Sequence, residues 1–158
     1  MAETSNNKTE GSASGWIADK IETLQKALRP KLKGAPWLET TAMDYFETLK
    51  KYFAIEGRAR RREFWMFALC NFAIGVAFGI LGMLPIIGFL FGIVSTVFSL
   101  AVFIPGITVG IRRLHDTNRS GWMLLLLLIP LAGPIIIIVF WALAGISGSN
   151  KYGDDPKA

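Results

Sequence analysis

The residues equipped to do chemistry gather in two short strings. The first is residues 112–122, Arg-Arg-Leu-His-Asp-Thr-Asn-Arg-Ser-Gly-Trp, which puts His115, Asp116 and Ser120 within a few positions of one another. An imidazole, a carboxylate and a hydroxyl are the parts of a nucleophilic triad. A triad is defined by geometry in space, however, and no strand-turn-helix nucleophile elbow surrounds this serine. A metal site fails on ligand count, because His115 is the only histidine and Asp116 the only carboxylate beside it. The string reads more simply as a hydrogen-bonded turn, with Arg112–Asp116 and His115–Arg119 at i,i+4 spacing and Ser120 capping whatever follows. The second string is residues 57–65, Gly-Arg-Ala-Arg-Arg-Arg-Glu-Phe-Trp. Arginines beside an anionic lipid surface contribute about 1 kcal/mol each. A nucleic-acid site would need such a basic face on a folded soluble module, and this cluster runs directly into an apolar segment, so no nucleic-acid partner is expected. Glu63 is expected to pair with one of the arginines, since a lone carboxylate at a membrane boundary is costly.

The elements that must position these strings follow from charge distribution. The chain has 158 residues with 17 Lys+Arg, 12 Asp+Glu and a formal net charge of +5, and its mean hydropathy is +0.42. Residues 64–111 and 121–150 carry no charged side chain at all. A soluble domain needs charge on nearly every element, so a soluble enzyme is excluded. About 20 residues cross the hydrocarbon as a helix, so the first run is long enough for two spans. Gly82, Pro85 and Gly88 mark the turn between them, predicting spans near residues 64–84 and 86–110. The third run, residues 122–144, is interrupted by Pro130, Gly133 and Pro134. It reads as one kinked span anchored by Trp122 and Trp141 at opposite interfaces, or as a re-entrant pair of half-helices. Trp65 would anchor the start of the first span. Pro105 should bend the second.

Before the spans, residues 1–15 have the composition of a disordered tail and lack an apolar core, leaving the first span to act as an uncleaved insertion signal. Residues 16–55 hold two amphipathic stretches. In the first, residues 16–29, Ile17, Ile21, Leu24 and Leu28 share a face and Pro30 should end the helix. In the second, residues 41–54, Thr41 and Asp44 suggest a cap, Ala42, Tyr45, Phe46, Leu49 and Phe53 form the apolar side, and Glu47–Lys51 is an i,i+4 pair. Either stretch can pack on a partner helix. The reading preferred on tethering grounds is that both lie flat at the interface, with Trp16, Trp37 and Tyr45 at headgroup depth. The fold class expected is therefore an all-α integral membrane protein: two amphipathic interfacial helices, then a three-span domain over residues 56–156 whose third segment is Pro/Gly-broken.

Basic residues crowd before the first span (Lys50, Lys51, Arg58, Arg60, Arg61, Arg62) and in the second loop (Arg112, Arg113, Arg119). The positive-inside rule then predicts a cytoplasmic N-terminus and, with three spans, a C-terminus outside. A re-entrant third segment would bring the tail back. The lone Cys70 allows no intramolecular disulfide. Gly75–Gly79, Gly88–Gly92 and Gly106–Gly110 have GxxxG spacing, which suits close packing within the chain first and a homo-oligomer or protein partner second.

Taken together, Gly57-Arg58-x-x-Arg61-x-Glu63-Phe64-Trp65, then Arg112-Arg113-Leu114-His115-Asp116-Thr117 with Arg119-Ser120-Gly121-Trp122, then Gly145 and Gly148-x-Asn150-x-Tyr152-Gly153-x-Asp155-Pro156, resemble the domain-of-unknown-function 805 family of bacterial inner-membrane proteins. The resemblance covers about residues 45–156 and departs from the family at Arg60 and at Asn118, where glycine is common. It implies inner-membrane location and a set of polar positions that belong together, and it carries no activity. Those positions, Arg58, Arg61, Glu63, Arg112, Arg113, His115, Asp116 and Arg119, would meet at the cytoplasmic interface, with Glu63 and Asp116 bridging the arginines. The leading function class is a non-enzymatic membrane protein, without cofactors, that binds anionic lipid headgroups or scaffolds an assembly. A small transporter or channel subunit is the alternative, and a headgroup-modifying enzyme using His115 and Asp116 comes third.

Overall fold

The computed structural model describes residues 13–85 and 87–156. Most of the tail expected to be disordered lies outside them, as does the expected start of the second span at Ile86. Residues 13–15 open the first helix instead. Five α-helices follow in order: α1 (Ala13–Leu32), α2 (Pro36–Lys50), α3 (Arg61–Gly82), α4 (Gly88–Asp116) and α5 (Ala132–Ala142), with a 3-10 helix (Gly121–Leu128) between α4 and α5.

Both amphipathic stretches are helical, with shifted boundaries. Pro30 sits inside the last turn of α1 and does not end it. A proline costs one backbone bond there, and only a short stub of helix remains to be carried beyond it. Helix α2 begins at Pro36, whose missing N–H is no loss at a first turn. Thr41 is therefore interior and caps nothing; its hydroxyl donates to the Trp37 carbonyl at 2.8 Å. Lys50, not Lys51, takes Glu47, at 3.0 Å. Helix α2 packs on α3, with the Tyr45 ring stacked on Phe67 at 5.2 Å and its hydroxyl donating to Asn71 Oδ1 at 3.2 Å. Tyr45 thus belongs to the core cluster around Ala59, Phe64, Phe67 and Val109, not to a headgroup layer. Trp16 and Trp37 stay exposed.

Helices α3 and α4 are long and apolar enough to cross a membrane, and nearly all of their apolar side chains are uncovered. The core helix of a soluble protein would be buried. These faces are uncovered because lipid is their natural solvent. Helix α4 runs six residues past the predicted boundary, through Arg112 and Arg113 to Asp116. It ends on a Schellman motif, in which Asn118 N–H donates to His115 O and Arg119 N–H to Leu114 O, both at 2.9 Å. Asn118 takes φ +58°, a left-handed conformation that asparagine and glycine accept most readily.

The third apolar run does not form one span. The 3-10 helix of eight residues and α5 of eleven each extend about 16 Å, against roughly 30 Å of hydrocarbon. They pack on each other as a hairpin. The reversal is a γ-turn: Ala132 N–H donates to Pro130 O at 2.8 Å, and Leu131 between them holds φ +65° and ψ −57°. Pro130 itself cannot donate the bond that would carry a helix through this point. Both ends of the hairpin meet the end of α4: Gly121 lies against Ile111, and Ile146 N–H donates to Asp116 O at 3.0 Å. The tail therefore sits at the same end of the molecule as the 57–62 string, in place of the opposite end that an uninterrupted third span requires. Trp141 is correspondingly no anchor at a far interface. Its ring rests on Gly110, where an added Cβ would come within 3.1 Å, its Nε1–H donates to Gly110 O at 3.2 Å, and it meets Phe64 at 4.5 Å.

Candidate functional site

At the end of α4 four charged side chains are withdrawn from solvent: Arg58, Arg113 and Asp116, each at most 1 % exposed at the side chain, and Arg112 at 2 %. The helical backbone brings Arg113 and Asp116 onto one face at i,i+3, and Arg113 Nη1 pairs with Asp116 Oδ2. Arg58 arrives from the extended segment before α3, which is held to α4 by Ala59 N–H donating to Arg112 O at 3.0 Å. Its Nε and Nη2 reach Asp116 Oδ1 at 3.0 and 2.9 Å. One carboxylate therefore neutralises part of two guanidinium charges, and the remaining donors are satisfied by carbonyls. Arg58 donates to Ile146 O, to Gly148 O at 2.5 Å and to Gly153 O at 3.5 Å. Arg113 donates to Trp141 O at 2.9 Å and to Leu143 O. Arg61 donates to Ala142 O and Arg60 to Pro156 O.

Three of these carbonyls, on Trp141, Ala142 and Leu143, have a common origin. The last turn of α5 leaves carbonyl groups without helical partners, and the partial negative charge of a helix C-terminus attracts cations. Arg113 and Arg61 supply both the hydrogen bonds and the charge. Arg58 does the same for the irregular tail. The cluster is thus a clamp joining α4, the end of α5, the tail and the lead-in to α3.

The other singled-out residues fall around it. Glu63 and Asp116 do not share arginines: Glu63 Oε1 accepts from Arg112 at 2.8 Å and lies 4.0 Å from Lys51, while Asp116 serves Arg58 and Arg113. Arg112 pairs with Glu63, not with Asp116 at i,i+4. Arg119 lies over the Phe140 ring at 4.2 Å, not beside His115. His115 Nδ1 meets Gly57 O at 3.1 Å, and its ring stacks on Tyr152 with 3.8 Å between centroids. Asn150 donates to His115 O at 2.9 Å. Ser120 Oγ accepts from Trp122 N–H at 3.4 Å, as a cap should. Histidine, aspartate and serine therefore do not assemble into a relay, because each is bonded to a different group. Among the described residues no group of three or more His, Cys, Asp or Glu side chains could hold a metal ion. Trp65 and Trp122 face outward.

Sequence reasoning missed the contacts of four participants. Tyr152 and Asn150 appeared only as part of the family-like pattern; nothing local says that they close over a residue some 35 positions earlier. Gly145 is placed where any added Cβ would overlap the Asp116 carboxylate. The Asn71–Tyr45 pair is polar within an apolar run, and Asn71 was the visible signal.

Two uncovered apolar helices and a short helical hairpin, locked by a buried arginine–aspartate cluster, define a small helical integral membrane protein. The chain belongs to the family described as protein of unknown function (DUF805), which matches residues 52–154. It is similar to two inner membrane proteins of Escherichia coli (strain K12). One is YhaH, 47 % identical over 117 residues that make up 72 % of this chain and 95 % of the relative. The other is YhaI, 43 % identical over 113 residues, 72 % of this chain and 94 % of the relative. The uncharacterized protein YiiR of the same organism is 32 % identical over 132 residues, 66 % of this chain and 87 % of the relative. No solved structure matches. Membership, relatives and uncovered spans agree on an inner-membrane protein of unknown function; α1 and α2 precede the matched family region.

Proposed function

We propose that the protein is a non-enzymatic membrane scaffold whose basic collar holds anionic phospholipid headgroups. The observation that supports this reading is how the polar groups are used. The groups that could do chemistry at the α4 end are spent on holding the hairpin and tail to the spans, with both Asp116 oxygens on arginines. Arg58 and Arg113 are consequently poor headgroup ligands, since their donors face protein carbonyls. The headgroup role passes to cations that remain exposed, among them Lys26, Arg29, Lys51 and Arg62, whose ion pairs are solvent-open and weak. The uncovered faces of α3 and α4, including Gly75 and Gly79 with no atom near them, leave room for a partner helix or a second copy.

Purification of the full chain in mild detergent, followed by mass spectrometry, tests the reading. Anionic phospholipid should be retained over phosphatidylcholine, and retention should fall as salt screens the collar. Equal retention of both lipids, or solute flux through liposomes containing the purified protein, would overturn it. The same reading places the tail on the cytoplasmic side with the 57–62 string. A reporter fused after residue 158 should therefore give the cytoplasmic signal, and a periplasmic signal would restore an uninterrupted third span.

A further inference from the structure

Beside the clamp is a pocket of about 340 Å³, lined by Ile55, Ile111, His115, Ser120, Trp122 and Leu125 among others. Its walls come from the end of α4, the start of the 3-10 helix and Ile55 in the connection between α2 and α3, so it lies where the apolar runs meet the polar α4 end. Its volume lies at the lower end of the range of about 300–1,000 Å³ typical of ligand sites. That suits part of one acyl chain rather than a whole two-chain lipid.

Two polar residues, His115 and Ser120, line this otherwise apolar space. His115 Nδ1 is bonded to the Gly57 carbonyl. A carbonyl oxygen can only accept, so Nδ1 carries the hydrogen, and in the neutral ring Nε2 presents a lone pair. Nε2 takes no partner among the described residues. It asks for a donor. Ser120 Oγ already accepts from Trp122 N–H, which leaves its hydroxyl hydrogen for an acceptor. Behind the imidazole, Tyr152 stacks on the ring, and the Lys151 ammonium lies 4.9 Å from the centre of the Tyr152 ring. Positive charge behind the His115 ring favours a phosphate and disfavours an ammonium headgroup. Phosphatidylglycerol, a glycerol headgroup on a single phosphate, offers a hydroxyl donor, a phosphate acceptor and a net negative charge together.

We propose that the His115–Ser120 pocket seats one phosphatidylglycerol molecule, with a glycerol hydroxyl on His115 Nε2, the phosphate near Ser120 and an acyl chain along Ile111 and Leu125. This rests on the anionic-lipid reading above and names its specific site. The test uses the full chain in mild detergent, offered equimolar phosphatidylglycerol, phosphatidic acid and phosphatidylethanolamine, and read by native mass spectrometry. The wild type should retain one phosphatidylglycerol per chain in preference to the other two. His115→Phe keeps an aromatic ring to stack on Tyr152 but removes both nitrogens, and Ile55→Trp fills the pocket from an exposed position. Each should weaken phosphatidylglycerol retention at least about fivefold, which for His115→Phe is the value of roughly one hydrogen bond. Ile55→Trp disturbs no buried packing, so it keeps the test decisive if His115→Phe fails to fold. Equal retention of phosphatidylglycerol and phosphatidic acid, or retention unchanged by Ile55→Trp, would overturn the pocket while leaving the collar intact. Retention of phosphatidylethanolamine equal to that of both anionic lipids would overturn collar and pocket together.

Discussion

Asp116→Asn should destabilise the purified protein by about 3–5 kcal/mol, because it leaves two buried guanidinium groups with no counter-ion. For a chain of this size that corresponds to a thermal transition in detergent lowered by about 10 °C. Asparagine preserves the shape and still offers one oxygen, so the change isolates charge from packing. Arg58 and Arg113 would each remain held by carbonyl groups, and carbonyl dipoles compensate a full charge only in part. Burying the unpaired cations is therefore the dominant cost. Glu63→Gln provides the internal comparison. Glu63 is 12 % exposed at the side chain, and its partner Arg112 is a single guanidinium. Arg112 is itself only 2 % exposed, but one buried cation loses its counter-ion here instead of two, and water reaches the Glu63 side, so the loss should be smaller. The order of the two variants matters more than either value. If Asp116→Asn melts with the wild type, or if Glu63→Gln is the more damaging, the buried cluster is not what secures the hairpin and tail.

The parts of this architecture that could be read from sequence are those governed by local rules. Charge-free length alone locates α3 and α4, and the Gly82–Gly88 stretch marks their turn, because hydropathy reports directly on which backbone lipid can surround. The error at the end of α4 has the same cause: hydropathy stops at Ile111, whereas the hydrogen-bonded helix stops at the Schellman motif around Asn118. For the third run the breakers Pro130, Gly133 and Pro134 were visible, but hydropathy is the same for a kinked span and for a hairpin. The deciding residue is Leu131, whose positive φ is imposed by the packing of two half-helices and not by its own preference. Within the candidate site, i,i+4 spacing suggested Arg112 for Asp116. The actual partners are Arg113 one position on and Arg58 from 58 residues earlier. Helical spacing cannot choose between neighbouring arginines, and no local rule reaches across the membrane domain. The tail is the extreme case. Gly148, Asn150 and Tyr152 make sense only against Arg58 and His115.

Gly133→Ala should open the hairpin. Gly133 lies in the first turn of α5, and a Cβ there would overlap the Leu126 carbonyl oxygen and carbon. Those atoms are backbone, so no side-chain rotation relieves the overlap. The 3-10 helix and α5 would have to move apart, and they are held together at this point by Gly133 N–H donating to Ile129 O at 3.0 Å. Overpacking against side chains typically costs about 1–3 kcal/mol. Against backbone in an apolar medium the cost is larger, since separating the two legs also exposes carbonyl groups that lipid cannot bond. The γ-turn adds to the bias, because a leucine at φ +65° carries strain of about 1–3 kcal/mol that the closed hairpin must offset. Once the legs part, that strain is released into a straighter segment. A tail reporter in Gly133→Ala cells should then show a mixed signal, part cytoplasmic and part periplasmic, along with reduced protein abundance. Gly75→Ala is the matched control: its Cβ would meet no atom within 4 Å, and alanine favours the helix. It should leave abundance and topology unchanged. A Gly133→Ala protein with wild-type abundance and a single tail location would show that the two half-helices are not closed on each other at this turn.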